Sequence, residues 1–363
     1  VDVDKHLCRV NDGCRMPADW EPQAACWLAW PYRSDQWREL EGARSQIAAM
    51  LRALAEPVEG AALAPERIEL LLADDDCERS ARTLLKGVDA GFHRVRYDDA
   101  WLRDTGPVFV IDDNGGLAAR GFAFNGWGGR FALDLDSHVT TDLARLAAAP
   151  LLSSPLVFEG GAVDSDGRGT LLASRNCLLD GRRNPGLSLE SLQAELCSML
   201  GAEHVLWVEG ALANDHTDGH VDTLARFVGP GLVACALPAD DHDPNARLLK
   251  RLAGWLGEQC SADGRRLAVV KLPSPGLLPG GDGGALPASY LNFVVGNATV
   301  VVPQFGVAAD AVAVKTLSGC YPGRRTIGLP AGQLLAEGGA FHCVTLQQAL
   351  VAACPSSDAG PRR

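Results

Sequence analysis

No uninterrupted apolar run in the 363 residues approaches the ~18 of a membrane span. Basic residues are in the minority, 33 Lys and Arg against 45 Asp and Glu, for a formal net charge of −12. A nucleic-acid binder presents a basic face, so that class is set aside. The 11 cysteines are odd in number and form no CxxC pair, which fits neither a zinc ribbon nor a disulfide framework. Walker A, GxSxG and dinucleotide-binding motifs are missing. The stretch Val1 to Met16 is polar and has no signal-peptide core. The expectation is a cytoplasmic protein with neither membrane nor nucleic acid as partner.

What the chain does have is material for a large core, 47% hydrophobic residues against 21% charged. Its acidity is enough to explain solubility, and it also concentrates small cations near the surface. Met16 to Ala353 reads as one unit, 16–353. The residues 354–363, with Pro355, Ser356, Ser357, Gly360 and Pro361, read as a frayed tail.

Inside that unit short β-rich runs recur in pairs around turn residues. Val108 to Ile111 and Leu117 to Phe124 flank Asp112 to Gly116. Val157 to Val163 and Thr170 to Ser174 flank Asp164 to Gly169. Leu224 to Val228 and Leu232 to Leu237 flank Gly229-Pro230-Gly231. Asn292 to Val295 and Thr299 to Val302 flank Gly296-Asn297. Helical patterns follow, over Leu40 to Glu56, Thr141 to Ala149, Ser188 to Leu200, a stretch opened by Asp243-Pro244, and Ala309 to Gly319, with an additional helix near Cys77 to Leu85. The spacing leaves two α/β architectures open, radial repetition around a centre and a two-layer sheet of irregular order.

Four segments combine glycine with ionisable or aromatic residues at strand ends. Asp98 to Pro107 offers carboxylates and the indole of Trp101; it reads either as a carboxylate pocket or as a loop whose Arg103 and Asp104 pair locally. Glu159-Gly160-Gly161 follows an apolar run and reads as a close backbone approach to a ligand or as a bulge with a solvated Glu. Asn214 to Asp222 packs two histidines and three aspartates into nine residues. On a strand, His220 and Asp222 would share a face. Glu337 to Thr345 places Cys343 after a glycine turn. His342 would then face away from it, which leaves His220 as the better base. Three readings fit these pieces. One is thiolate catalysis by Cys343. Another is a metallohydrolase using His216, His220 and Asp222, since His216 and His220 copy a helical zinc pair. The last is a binding protein for cationic ligands.

Taken together, the motifs resemble the agmatine deiminases and their relatives, the bacterial-type peptidylarginine deiminases of the pentein superfamily. The likeness rests on Met16 to Pro22 with Trp27 to Pro31, Trp101 to Pro107, Phe124 to Gly129, Glu159 to Gly161, Thr217 to Asp222, Ala288 to Phe293, Val302 to Gly306 and His342 to Thr345. It implies an α/β fold, a five-bladed propeller of ββαβ modules around a central funnel. It implies hydrolysis of a guanidino group to a ureido group plus ammonia, most simply agmatine to N-carbamoylputrescine, with a deiminase of peptidylarginine or another guanidine as the alternative. By the same resemblance Cys343 is the nucleophile and His220 the acid/base. Asp104 and Asp222 hold the guanidinium, Glu159 orients His220, Trp101 stacks on the substrate and Asn292 borders the site. No metal or organic cofactor is expected. The partner is a small cationic guanidine, and a homo-oligomer is left open. Two departures bear on the substrate tail. Glu337-Gly338-Gly339-Ala340 stands where the family often has Gly-Gly-Gly-Asn, and His216 stands where it often has Glu.

Overall fold

A computed structural model describes residues 13–281 and 283–351; the tail 354–363 lies outside them. Strands β1 (Gln23–Ala29), β2 (Arg67–Leu72) and β3 (Ala90–Arg94) open the chain. The next three sheets are β4 (Val108–Ile111), β5 (Leu117–Ala123) and β6 (Leu151–Val157), then β7 (Val163–Ser165), β8 (Thr170–Ser174) and β9 (His204–Val208), then β10 (Ala225–Gly229), β11 (Leu232–Leu237) and β12 (Ala268–Pro273). A fifth holds β13 (Val294–Val295), β14 (Thr299–Gln304) and β15 (Arg325–Pro330). The last strand, β16 (Leu346–Ala349), returns to the first sheet and pairs antiparallel with β1.

Every sheet therefore has one plan. An antiparallel pair is followed by a parallel third strand, and the first sheet adds a fourth, β3, parallel to β2. Parallel neighbours need a crossover, which a helix supplies. The helices are Leu40–Ala55, Asp136–Leu146, Leu189–Leu200, Ala246–Leu256 and Ala309–Cys320. This is the five-bladed ββαβ propeller, and it removes the irregular two-layer alternative. Its fifth hairpin joins the two ends of the chain and so carries no local turn signal.

Helix Leu189–Leu200 shows how sequence becomes blade. Ser188 caps it by accepting the Ser191 amide at 3.1 Å. Leu192, Leu196, Met199 and Leu200 face inward, and Gly201 ends it in the left-handed region at φ 66°. Three expectations shift. The run 157–163 is not one strand, because β6 ends at Val157 and a 3-10 turn occupies Gly160–Ala162. Asp243-Pro244 lies a turn ahead of its helix; Asp243 accepts the Asn245 amide instead, at 2.8 Å. The helix expected at 141–149 begins five residues earlier, at Asp136. Among the described residues no helix is long and apolar enough to cross a membrane.

Ring closure rests on β16. Leu346 is buried with Trp27, Leu102, Phe109 and Leu143, and Gln348 accepts the Trp27 indole N–H at 2.8 Å. Leu346→Ala is expected to destabilise the fold by ~2–5 kcal/mol, the range for a buried Leu truncation. Urea unfolding reads this as a lowered midpoint; an unchanged midpoint would show that closure does not limit stability.

Candidate active site

The first strand of each blade is preceded by a short turn, and the turns meet at the axis. Leu102–Thr105 carries Asp104 ahead of β4. Glu159 precedes the 3-10 turn Gly160–Ala162 ahead of β7. Val221–Leu224, with His220 as its N-cap residue, carries Asp222 ahead of β10. Asn292 lies just ahead of β13, and Phe341–Val344 carries His342 and Cys343 ahead of β16. This corrects the strand reading of His220 with Asp222 and of His342 with Cys343. Both pairs sit on helical turns. Asp218 and Gly219, at φ 66° and 97°, bend the chain just before His220.

Glycines let the turns touch. A Cβ on Gly160 would lie 2.1 Å from the Arg103 carbonyl, and one on Gly161 2.5 Å from His220 Nδ1. Glu159 is accordingly not a solvated bulge residue, since it is wholly buried. On the opposite wall, a Cβ on Gly339 would meet the Trp101 ring at 2.4 Å and one on Gly338 would meet His216 at 2.1 Å.

A small chamber results, lined by Trp101, Asp104, Trp127, His220, Asp222 and Cys343, with His216 at its edge. Asn292 Nδ2 donates to Cys343 Sγ at 3.1 Å and to Asp222 Oδ2 at 3.2 Å, while its Oδ1 accepts the His342 and Cys343 amides. The thiol lies 3.9 Å from Asp222 Oδ2. Asp222 Oδ1 is buried and has no partner. Asp104 accepts the Trp127 indole N–H at 2.9 Å and the Gly161 amide at 3.0 Å, and lies 3.7 Å from His220 Nδ1. His220 Nε2 meets Glu159 Oε2 at 2.8 Å. Glu159 also takes two bonds from Arg183 and one from the Cys177 thiol.

These contacts set the charges. Burial would push His220 down, but Asp104 and Glu159 more than offset it and hold the imidazole well above its usual range. Burial opposes ionisation of Glu159, yet His220 and Arg183 keep it below the usual carboxylate range. Asp222 is held low in the same way, burial being outweighed by His342 together with His220 and Arg226. Asp104 has mainly neutral donors, and burial raises it to about 6. Burial, then Asp222 and Asp104, push the Cys343 thiol up.

The metal set proposed from spacing, His216 with His220 and Asp222, is not gathered. The helix it needs is replaced by an irregular segment with positive φ at Asn214, Asp218 and Gly219. Among the described residues, Glu159, Cys177 and His220 bring ligand atoms within 4.8 Å of one another. Arg183 already occupies both oxygens of Glu159, and the Cys177 thiol, raised to about 12, donates rather than ligates.

Beyond the chamber lies a vestibule of about 600 Å³ bordered by Trp37, Asp99, Trp101, Trp127, Phe131, His216 and Gly338. Trp101, Trp127, His216 and Gly338 border both spaces and form the neck between them. Trp101 is fixed there by a stack on Trp37, ring centres 5.4 Å apart, and by Asp99, which accepts both indole N–H groups. His216 packs edge-on against Trp127 and Phe131. Several supporting residues escaped sequence reasoning. Arg183, Cys177 and Trp127 meet Glu159 or Asp104 within one blade but tens of residues away, and Asp19 and Arg226 meet across blades; Asp19 and Trp127 lay inside recognised motifs without a role assigned to them.

Comparison with known proteins follows the same outline. The model of the Porphyromonas-type peptidyl-arginine deiminase family matches residues 15–349. The agmatine deiminase of Stutzerimonas stutzeri is 35% identical, the alignment covering 93% of this chain and 96% of that protein. The solved agmatine deiminase of Enterococcus faecalis superposes with a TM-score of 0.83 at 30% identity, over 93% of this chain and 96% of that one. A substrate-bound Cys-to-Ser variant of the C. jejuni agmatine deiminase gives 0.82 at 26% identity, over 94% and 97%. With this match along almost its whole length, the chain belongs to the Porphyromonas-type peptidyl-arginine deiminase family.

Proposed function

We propose that the chain hydrolyses a guanidino group to a ureido group and ammonia, with agmatine, giving N-carbamoylputrescine, as the favoured substrate. The observation that carries this reading is the pairing of a thiol with carboxylates on one cavity wall. Asp104 and Asp222 border the same chamber as Cys343, and Asp222 Oδ1 has no partner there. A guanidinium offers five N–H donors in a plane and takes carboxylates at its edges. Its central carbon is then open to the thiol from one face.

In the free protein the thiol is protonated, because burial and the carboxylates raise it. A bound cation reverses the local balance and favours the thiolate. Cys343 adds to the central carbon. His220, held as imidazolium, gives a proton to the departing nitrogen, and ammonia leaves. An S-alkyl thiouronium remains. Neutral His220 takes a proton from water, the hydroxide adds, and the C–S bond breaks to release the ureido product and Cys343. Glu159 steadies the charge on His220 throughout, and Asn292 holds the sulfur.

The vestibule supports a second reading. Its 600 Å³ far exceed a four-carbon tail, so an arginine within a peptide would also fit. Asp35, Asp99 and Glu337 border the vestibule, but Asp35 pairs with Arg33, Asp99 accepts two indole N–H groups and Glu337 accepts the Arg38 amide. Burial pushes the His216 imidazole down, so it is neutral. Asp98 is engaged by Arg33 and the Leu135 amide, and Asp215 by its own loop. A cytoplasmic setting fits the nine described cysteines, all free thiols.

Cys343→Ala is expected to abolish ammonia release while leaving the fold intact. Mass spectrometry of a quenched wild-type reaction should find the adduct on Cys343; an adduct on another cysteine would refute the assignment.

For Asp104 the expected loss is at least about tenfold in kcat/KM, ~1.4 kcal/mol, on changing it to Asn. The wild-type kcat/KM should also fall as pH drops through about 6, where the free carboxylate takes a proton and stops accepting from the guanidinium. A flat profile between pH 5 and 7 would remove Asp104 from this role.

His216→Glu should lower KM for agmatine roughly two- to fivefold, the worth of a partly exposed ion pair. The KM of butylguanidine, which lacks the amine, should stay put. Equal changes for both would reject a contact between position 216 and the tail.

A further inference from the structure

Behind the thiol sits a buried imidazole that the reaction above does not use. His342 is 2% exposed. Its Nδ1 lies 2.7 Å from Asp222 Oδ2 and its Nε2 3.0 Å from Asp19 Oδ2. Its amide donates to Asn292 Oδ1 at 3.0 Å, so the residue is fixed at backbone and ring alike. Asp19 comes from the segment ahead of β1, and the same Oδ2 that faces His342 accepts from Arg226. That guanidinium is wholly buried, donates to the Leu291 and Phe293 carbonyls and lies 4.3 Å from the Phe293 ring centre. A continuous line of contacts thus runs Arg226, Asp19, His342, Asp222 and ends at the chamber.

A hydrogen bond needs a hydrogen, and ionised carboxylates bring none. Neutral His342 has one N–H for two carboxylate contacts. Asp19 already accepts from Arg226, whereas Asp222 touches no guanidinium among the described residues. The one N–H therefore sits at Nδ1 and donates to Asp222. Together with Asn292, this bond takes up Asp222 Oδ2, fixes the carboxylate plane and leaves Oδ1 open.

We propose that His342 is a positioning residue, braced by Asp19 and Arg226, that holds Asp222 in the orientation in which Oδ1 receives the substrate guanidinium. The assignment rests on the deiminase reading for the identity of the ligand. It explains why a histidine next to the nucleophile in sequence is no acid or base in the reaction: its one N–H is spent on Asp222, and its other nitrogen faces Asp19, away from the chamber.

The test uses the full chain with Cys343→Ala, so that agmatine binds without turnover, and calorimetry reads its Kd. Two amides separate the ring's two contacts. In His342→Asn the side-chain nitrogen reaches about as far as Nδ1 and can still donate to Asp222. In His342→Gln it reaches about as far as Nε2, towards Asp19. The Asn variant is expected to bind within about threefold of the parent, and the Gln variant at least about tenfold more weakly. With Cys343 restored, the Gln variant should raise KM more than it lowers kcat. Equal Kd values for the two variants, or the reverse order, would overturn the assignment, since a space-filling role does not distinguish them. Failure of the deiminase reading looks different: intact protein would bind agmatine and release no ammonia, while the Asn and Gln variants kept their order.

Discussion

Negative charge held out of water is the constraint around which this molecule is arranged. Asp104, Glu159 and Asp222 are 6%, 0% and 0% exposed, and all three face His220 or the thiol. A buried carboxylate without a partner costs several kcal/mol. Each is met differently. Glu159 has Arg183 and His220, Asp222 has His342 and Asn292, and Asp104 has the Trp127 indole, one amide and only a longer approach to His220. The carboxylate with the weakest compensation is also the one whose proton affinity burial raises most clearly, to about 6. It has the most to gain when a cation arrives. Affinity for a guanidinium is in this sense what remains after the protein has neutralised the rest of the site.

The propeller makes such an arrangement feasible because five separate turns deliver the groups, one blade each. No turn has to be contorted to supply two opposed walls. The close approaches fall instead on glycines, at Gly160 and Gly161 on one side and Gly338 and Gly339 on the other. The neck borrows its rigidity from outside the axis, where Trp37 and Asp99 clamp Trp101.

How much of this could be read from residues alone follows from distance along the chain. Four hairpins were legible because their turn residues lie between their strands; the hairpin of β1 and β16 was not, because its halves sit at opposite ends of the sequence. The chemistry of His220 and Asp222 was legible, but their geometry was misjudged. Val221 and Thr223 are β-branched and suggest a strand, while the left-handed Asp218 and Gly219 that redirect the backbone follow no such pattern. Cys343 could not be told from the other cysteines by composition, and its glycine-rich approach together with the motif resemblance singled it out. Arg183 and Arg226 stayed hidden because each pairs with a carboxylate far away in sequence, Glu159 and Asp19 respectively, and pairing at such separation leaves no local signature.

The pairing of β1 with β16 also has a bearing on how the protein is made. The ribosome delivers β1 before the other described strands and β16 after them, so one edge of β1 stays unpaired until the other blades have been made, and an open edge invites pairing with other chains. Cys343 emerges just ahead of β16. The Cys343 thiol is therefore made only when the strand that seals the ring is about to follow, and a product interrupted before it carries the open edge without that thiol.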